Sequence, residues 1–484
     1  MNRAARQFPP TNSPGIVKAG SRFSVWGVIF GAILMAWPAF YSGFPLMYPD
    51  TAEYIHAGRP VASAILLGHR SPHYGIRSLI YSLGILPFHP GGILWPVIMF
   101  QSLLTSWILW LVFRSLFPKR TWTQFALLMA VLSLFTSLSW FGSFVMPDIL
   151  GPDLYLCVFL LVFTPESLSR VERALVYLVA WWSIVSHATH LMIVVALCGS
   201  LAVAAIFQPM SLRRYFGIAA RLALLIGLAI GAQVSLNIYL YGKVSMNADR
   251  PPFLIAHLVA DGTARSYLAK HCPQAGWELC HYTDNLYGTS NRFLWDADGV
   301  WKSATPDSRE RLLQQESPLA KAIILEYPRE QFQKTMSSFI AQLSIFDLGD
   351  FKPNYDIVLG TKGVLTHAGG YLSSRQAYGQ MHLDFFFRVH QAAIIASLAG
   401  IALFLPWFFR GRPMPLIALG LVTAISVVAN AFFTGALSMV AGRYESRVIW
   451  LVPLFAGLCF FGWVDDRKAG EATIAEPAIE HANR

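Results

Sequence analysis

Long apolar runs dominate this sequence and limit what it can fold into more than any other feature. A helix needs roughly 17–25 mainly apolar residues to cross a hydrocarbon core about 30 Å thick. Ten apolar runs occur, of which the fourth and fifth are short, and they lie near residues 24–42, 92–113, 123–145, 151–164, 174–187, 190–207, 219–241, 386–409, 414–434 and 447–464. We therefore predict an all-α polytopic membrane protein with about ten transmembrane helices.

The composition agrees with a membrane protein. Of the 484 residues, 55% are hydrophobic and 13% are charged, whereas a soluble domain carries about 25% charged residues. These values exclude a disordered chain, a coiled coil and an ordinary soluble enzyme. The net charge of +10 is explained by membrane topology, so we predict membrane lipids as partners and no nucleic acid.

The positions of Lys and Arg predict the orientation, because short cytoplasmic loops of membrane proteins are rich in these residues. Basic residues occur in segment 1–23, after the second, fourth, sixth and eighth runs, and at the start of the tail. Segments 146–152 and 186–190 contain none. This pattern places both termini in the cytoplasm. The sequence also has no permitted Asn-X-Ser/Thr site, which favours a bacterial inner (plasma) membrane over the endoplasmic reticulum.

Two outer segments are too polar to span a membrane, and they complete the predicted domain organisation. The parts are a cytoplasmic N-terminal segment (1–23), an N-terminal transmembrane module (24–242) whose first outer loop covers 43–90, an extracytoplasmic loop domain (243–385), C-terminal transmembrane helices (386–464) and a cytoplasmic tail predicted to be disordered (465–484).

The long outer loop has its own structural signals. Cys272 and Cys280 would lie in an oxidising compartment, which predicts a local disulfide bond, with two free thiols as the alternative. Pro328 precedes apolar residues at helical spacing, which predicts an amphipathic helix containing Phe332, Met336 and Phe339. We therefore expect this loop to be ordered and mainly helical.

Acidic residues follow the first predicted span on the outer side, where ionisable groups mark candidate functional sites. Asp50 and Glu53 are the only acids of segment 43–90. Asp50 is a candidate general base at the membrane surface. The same spacing is also typical of a capping box, with Asp50 as the helix cap and Glu53 bonded back to it. Both interpretations stay open at this point.

A basic and aromatic cluster follows in the same outer segment. Residues 61–67 are apolar and suit an interfacial helix. Arg70 and Arg77 follow, with His73 and Tyr74 between them. These arginines are candidates to hold a phosphate through charge-assisted hydrogen bonds. The alternative is that they pair with lipid headgroups.

Three further polar clusters lie on the predicted outer side, which points to one extracytoplasmic site. They comprise Asp148 after the third run, His187 and His190 between the fifth and sixth, and Arg443, Tyr444 and Arg447 at the start of the last. Asp148 is a candidate substrate contact or a turn residue. The histidines are candidate hydrogen-bonding groups or, with Asp50 and Glu53, metal ligands. The two arginines oppose the positive-inside pattern, which predicts a phosphate or a buried acid as their partner.

These clusters resemble the GT-C superfamily of membrane glycosyltransferases, which use polyprenyl-phosphate-linked sugars. Residues 49–54 and 69–77 are similar to the acidic motif and interfacial helices of that family's first outer loop. Met146-Pro147-Asp148 resembles the acid that ends the third span, and Gly442-Arg443-Tyr444 with Pro453 resembles the start of a late span. The resemblance covers about 24–240 and 386–464. An adjacent Asp-Glu pair is absent here, and the bulky outer loop is internal.

The resemblance implies an inverting sugar transfer from a polyprenyl-phosphate donor to an extracytoplasmic lipid, glycan or protein. Asp50 would deprotonate the acceptor hydroxyl, and the arginines Arg70, Arg443 and Arg447 would stabilise the leaving phosphate. Sugar and acceptor would be positioned by Glu53, His73, Tyr74, Asp148, His187, His190 and Tyr444. Some relatives need a divalent cation and others do not.

Three other interpretations compete with a glycosyltransferase. A transporter or flippase for a lipid-linked sugar would use the same charges, although they gather on one face. Another extracytoplasmic transferase, such as an acyltransferase or polymer ligase, would use His187 or His190 as its base. A non-catalytic scaffold would bind a partner through the long loop.

Overall fold

The computed structural model describes residues 25–206, 212–246, 250–361, 368–408 and 414–482. Within these residues the chain is helical and contains no strand beyond an isolated parallel bridge between Leu46 and Phe144. Six described segments are long and apolar enough to cross a membrane, namely Val25–Ser42, Trp95–Leu116, Tyr215–Tyr241, Leu383–Phe408, Met414–Leu437 and Gly442–Lys468. The chain is therefore an all-α membrane protein.

The N-terminal half contributes eleven helices within the described residues. They are α1 (Val25–Met35), α2 (Trp37–Ser42), α3 (Pro49–Leu67), α4 (Leu79–Ile85), α5 (Trp95–Leu116), α6 (Trp122–Phe135), α7 (Leu138–Gly142), α8 (Leu150–Phe163), α9 (Arg170–Ser186), α10 (Ala188–Ile206) and α11 (Leu212–Tyr241).

The long loop (243–385) and the C-terminal part follow. The loop contains α12 (Phe253–Asp261), α13 (Thr263–His271), α14 (Ser290–Trp295), α15 (Val300–Ser303), α16 (Pro306–Glu326), α17 (Pro328–Ser344), α18 (Tyr355–Thr361) and α19 (Ala368–Leu372). The last helices are α20 (Leu383–Phe408), α21 (Met414–Leu437), α22 (Gly442–Ile449) and α23 (Leu451–Ala482).

The predicted count of about ten spans is not confirmed, because two of the apolar runs form helices of only 14 residues. The run 123–145 is interrupted after Phe135, where α6 ends before α7 begins. Helix α8 has 14 residues, and all of its residues from 150 to 162 are buried. It packs against α5, α9 and α21 at the centre of the bundle. Its apolar sequence is thus explained by contact with protein.

The long loop is divided between two hydrophobic cores. Residues of α12 to α16, among them Leu268, Phe293 and Ile323, form a separate core. Phe351 and Met381, later in the same loop, belong to the main core of the bundle. Helix α17 begins with Pro328 as the sequence predicted, and it packs along α21. The second half of the loop is therefore part of the bundle.

The structure contains the Cys272–Cys280 disulfide bond, with Cα atoms 5.5 Å apart. The other cysteines, Cys157, Cys198 and Cys459, are free and lie within helices. At the C-terminus, α23 continues to Ala482 through the tail for which the sequence predicted disorder. Ala and Glu are strong helix formers, which accounts for helix in this segment.

Basic loops meet at one end of the bundle, opposite the acidic start of α3. Arg114 at the end of α5 forms an ion pair of 2.9 Å with Glu172 in the first turn of α9. Arg120 in the next loop pairs with Asp465 of α23 at 2.7 Å. Loops that the sequence assigned to the same side are therefore brought together.

Candidate functional site

Thr51 makes the side-chain hydrogen bonds that stabilise the first turn of α3, which leaves Asp50 free for another partner. Tyr48 is the N-cap residue and Pro49 is the first helical residue. The Thr51 hydroxyl accepts the backbone N–H of Tyr48 at 3.0 Å and donates to the carbonyl of Val145 at 3.1 Å. Asp50 is thus not the helix cap, and the capping alternative is wrong for this residue.

Asp50 and Glu53 both face the guanidinium of Arg77. Arg77 Nη2 donates to Asp50 Oδ1 at 2.6 Å, and Arg77 Nε lies 3.8 Å from Glu53 Oε2. The three side chains are 16% to 28% exposed. Burial raises the pKa of the Glu53 carboxyl, and Arg77 opposes that shift. The two carboxyl groups are therefore partly open to solvent and share one cation.

The turn before Arg77 is built around Glu53. Glu53 Oε1 accepts the backbone N–H of Ile76, and also that of Arg77 at 3.1 Å. Gly75 has a φ of +114°, and a Cβ there would lie 2.8 Å from the same oxygen. Only glycine suits this backbone and this close approach.

A second charged group surrounds Arg443, in the first turn of α22. Its Nε lies 3.7 Å from Asp148 Oδ1 and 3.7 Å from Asp350 Oδ2, which is too long for hydrogen bonds. Its guanidinium lies over the ring of Tyr48, 4.1 Å from the centroid. Among the described residues, Arg443 Nε and Nη1 and both carboxylate oxygens of Asp148 are buried without a hydrogen-bond partner. Unused donors and acceptors thus lie side by side.

Arg447, one turn further along α22, is fully buried and differs from Arg443. It donates to Asn430 Oδ1 at 2.9 Å and to the hydroxyl of Thr189 at 3.2 Å, and its Nη1 lies 3.6 Å from Asp148 Oδ1. Asn430 also donates to Glu445 at 3.1 Å. Arg447 therefore links α22 to α21 and α10.

The two histidines border this group. His187 Nδ1 pairs with the Thr189 hydroxyl at 2.8 Å, and His190 Nδ1 pairs with the Ser183 carbonyl at 2.8 Å. Their ring centroids are 5.2 Å apart. Through Thr189, His187 is joined to Arg447, whereas His190 is fixed within the bundle.

Arg70, His73 and Tyr74 contact a different part of the molecule. The Arg70 guanidinium lies 5.3 Å from the ring centroid of Tyr239 in α11. The Tyr74 hydroxyl accepts the backbone N–H of Ser71 at 2.8 Å, and the His73 carbonyl accepts the Ser71 hydroxyl at 2.8 Å. Within segment 43–90, Arg77 is the arginine that reaches Asp50.

The structure adds Asp350 to the site, a residue that sequence reasoning missed. Asp350 lies in a short 3-10 turn, Gly349–Phe351, between α17 and α18. Burial raises the pKa of its carboxyl, and Arg443 opposes that shift. Nothing in the sequence around Asp350 distinguishes it from the other acids of the long loop.

The predicted metal ligands are not arranged to share a metal ion. In the described part of the chain, no group of three or more His, Cys, Asp or Glu side chains could hold one. The space between Asp50 and Glu53 is taken by the guanidinium of Arg77. These residues, as placed, do not fit a divalent cation.

Comparison of this chain with family models, curated proteins and solved structures found no match.

Proposed function

We propose that this chain is a membrane glycosyltransferase that moves a sugar from a polyprenyl-phosphate donor to an extracytoplasmic acceptor, with inversion at the anomeric carbon. One observation carries the proposal. A partly exposed carboxylate, Asp50, lies at the same end of the bundle as a buried guanidinium, that of Arg443, whose Nε and Nη1 have no hydrogen-bond partner among the described residues. Tyr48 connects them, because its ring lies under Arg443 and it precedes Asp50 by two residues.

The proposed reaction uses these groups in two roles. Asp50 accepts the proton of an acceptor hydroxyl through the carboxylate oxygen that Arg77 does not engage. The acceptor oxygen attacks the anomeric carbon, the bond from that carbon to the phosphate oxygen breaks, and the electron pair leaves with the phosphate. The Arg443 guanidinium then donates to the developing negative charge, which lowers the barrier most in a water-poor site.

The unused hydrogen-bonding groups support a sugar as the transferred moiety. A sugar offers hydroxyl donors and oxygen acceptors on neighbouring carbons. Both carboxylate oxygens of Asp148 and two nitrogens of Arg443 are buried without partners among the described residues. Leaving such groups unpaired costs about 1–3 kcal/mol each, so a ligand that pairs them gains affinity. In this proposal Tyr444, His187 and His190 lie beside these groups, the exposed Arg70 and His73 meet lipid headgroups, and the buried Tyr74 supports their segment.

The proposal includes the finer architecture predicted from the sequence. Helices α6, α8, α9 and α10, which are not among the six long apolar segments, would complete a module of about ten membrane helices similar to the GT-C superfamily. The protein would lie in a bacterial inner membrane with both termini in the cytoplasm and its site facing the periplasm.

A rescue experiment in the native host tests the function. The gene is deleted, surface glycans and lipid-linked sugars are profiled by mass spectrometry, and the strain is complemented at matched membrane expression. We expect deletion to remove one sugar decoration and its lipid-linked donor to accumulate. Wild type should restore the decoration, whereas Asp50→Asn should fail, because removing a general base lowers rates by about 10²–10⁴-fold.

Asp356→Asn is the matched control, since Asp356 is an exposed acid in the first turn of α18. It should restore the decoration fully. Full rescue by Asp50→Asn would exclude Asp50 as the base, and an unchanged glycan profile after deletion would overturn the proposed function.

A further inference from the structure

Two carboxylates on one helix share a single cation from the same chain. Asp50 and Glu53 are three residues apart on α3, which places them on the same face of that helix. Arg77 lies 2.6 Å from the first and 3.8 Å from the second. Two acids that converge in this way are a common way to bind a divalent metal, but here a guanidinium lies between them.

The backbone, as well as the side chain, holds Arg77 in this position. Its own N–H and that of Ile76 donate to Glu53, in a turn that requires glycine at position 75. Glu53 thus anchors the segment whose arginine neutralises Asp50. On its other side, the Arg77 guanidinium lies 6.0 Å from the ring centroid of Trp295, at the end of α14. Arg77 is therefore fixed before any ligand binds by its hydrogen bond to Asp50, by its backbone N–H on Glu53 and by the ring of Trp295, while its Nε faces Glu53 as an ion pair without a hydrogen bond.

We infer that Arg77 is a built-in cation that takes the place of a divalent metal between Asp50 and Glu53, and that it positions Asp50 for the reaction. This inference rests on the proposed function for its catalytic consequence, namely transfer without a metal. The placement of the cation itself stands on geometry alone. Lysine is a poor replacement, because its ammonium lacks the planar fork that reaches both carboxylates.

Metal binding tests the inference without any substrate. The purified full-length protein in nanodiscs is titrated with Mn²⁺, and bound Mn²⁺ is measured by electron paramagnetic resonance. Wild type should bind no Mn²⁺ at this site. Arg77→Ala should gain one site, because two neighbouring carboxylates lose their cation. The double variant Arg77→Ala/Glu53→Gln should lose that site again, with affinity falling on the order of tenfold or more.

Arg59→Ala is the matched control, since Arg59 is an exposed arginine of α3 outside the site. It should behave as wild type. If Arg77→Ala does not fold, Arg77→Gln removes the charge with less loss of packing, and it should gain Mn²⁺ in the same way. Two results would overturn the inference. In the first, wild type binds Mn²⁺ and Glu53→Gln abolishes that binding. In the second, neither folded Arg77 variant gains a Mn²⁺ site.

Activity provides the second readout. Sugar transfer in isolated membranes should be unaffected by EDTA in wild type and reduced about 100-fold in Arg77→Ala. Added Mn²⁺ should recover part of that loss, whereas Arg77→Lys should not. A purely structural role of Arg77 would show no rescue by Mn²⁺. Inactivation of wild type by EDTA would contradict the inference. If Arg77→Ala gains a Mn²⁺ site but wild type shows no sugar transfer, the proposed function alone is overturned.

Discussion

Two buried arginines one helical turn apart on α22 differ in how many of their hydrogen-bond donors are used. Arg447 donates to Asn430 and Thr189, and only its Nη1 has no acceptor among the described residues, whereas both Nε and Nη1 of Arg443 have none there. Both lie within 3.7 Å of the same carboxylate oxygen of Asp148. Asp148 therefore offsets two buried positive charges, and Arg443 keeps donors for a ligand.

Removing the charge of Asp148 should destabilise the protein. In Asp148→Asn, Arg443 and Arg447 would lose their shared counter-charge, and breaking a buried ion pair from one side costs about 3–5 kcal/mol. We expect a clear fall in the thermal unfolding midpoint in detergent. Asp384→Asn, which changes an exposed acid in the first turn of α20, is the control and should leave the midpoint unchanged. Equal midpoints for the two variants would show that Asp148 is not needed to balance the arginines.

Among the elements, the segment between α17 and α18 completes the site because it packs closely on the start of α22. The Ser446 hydroxyl donates to the Asp347 carbonyl at 2.7 Å. A Cβ added at Gly442 would lie 2.3–2.4 Å from the Asp347 carboxyl group. The absence of a side chain at Gly442 thus allows this segment to place Asp350 beside Arg443.

Adding one methyl group at this contact should disturb the site. Gly442→Ala forces Asp347 away from α22 and moves Asp350 relative to Arg443. Small displacements of this kind lower rates by about 100-fold, so sugar transfer should fall by about that factor. The measurement is the transfer rate in isolated membranes at matched expression. Gly400→Ala in α20 is the control, because a Cβ there meets no atom within 4 Å. If Gly442→Ala transfers sugar at the wild-type rate, the close contact is not required.

Across the whole molecule, the two ends of the bundle carry different chemistry. One end holds the ion pairs of Arg114 with Glu172 and of Arg120 with Asp465. The other end holds the candidate site, where carboxylates and guanidinium groups are buried or partly buried. In the proposed orientation, the first end would lie in the cytoplasm and the candidate site would open on the other face.

Cysteine labelling in intact cells tests this topology. Asp307→Cys in α16 should react with a membrane-impermeant maleimide, because Asp307 is exposed on the predicted outer side. Lys119, which follows α5, is also exposed, and Lys119→Cys should react only after the membrane is permeabilised. Wild type is the control, and its own labelling is subtracted, since Cys157 and Cys459 are buried, Cys272 is bonded to Cys280, and Cys198 is half-buried in α10. The reverse labelling pattern would invert the proposed orientation.

Features that depend on residues close together in the chain could be predicted from the sequence. Helical class and membrane location follow from apolar runs, and the start of α17 follows from Pro328 and the periodicity after it. The number of spans could not be predicted in this way. An apolar run such as α8 has the same composition whether lipid or protein surrounds it, and only packing reveals which one does.

For the site, the sequence by itself determined which charged groups gather near one face, because topology follows from local hydrophobicity and the distribution of basic residues. Only the tertiary structure decided the partners. The turn at Gly75 directs Arg77, and not Arg70, to Asp50. The return of the long loop brings Asp350 to Arg443, although 92 residues separate them along the chain. Such contacts depend on how distant segments pack, and local patterns carry no information about them.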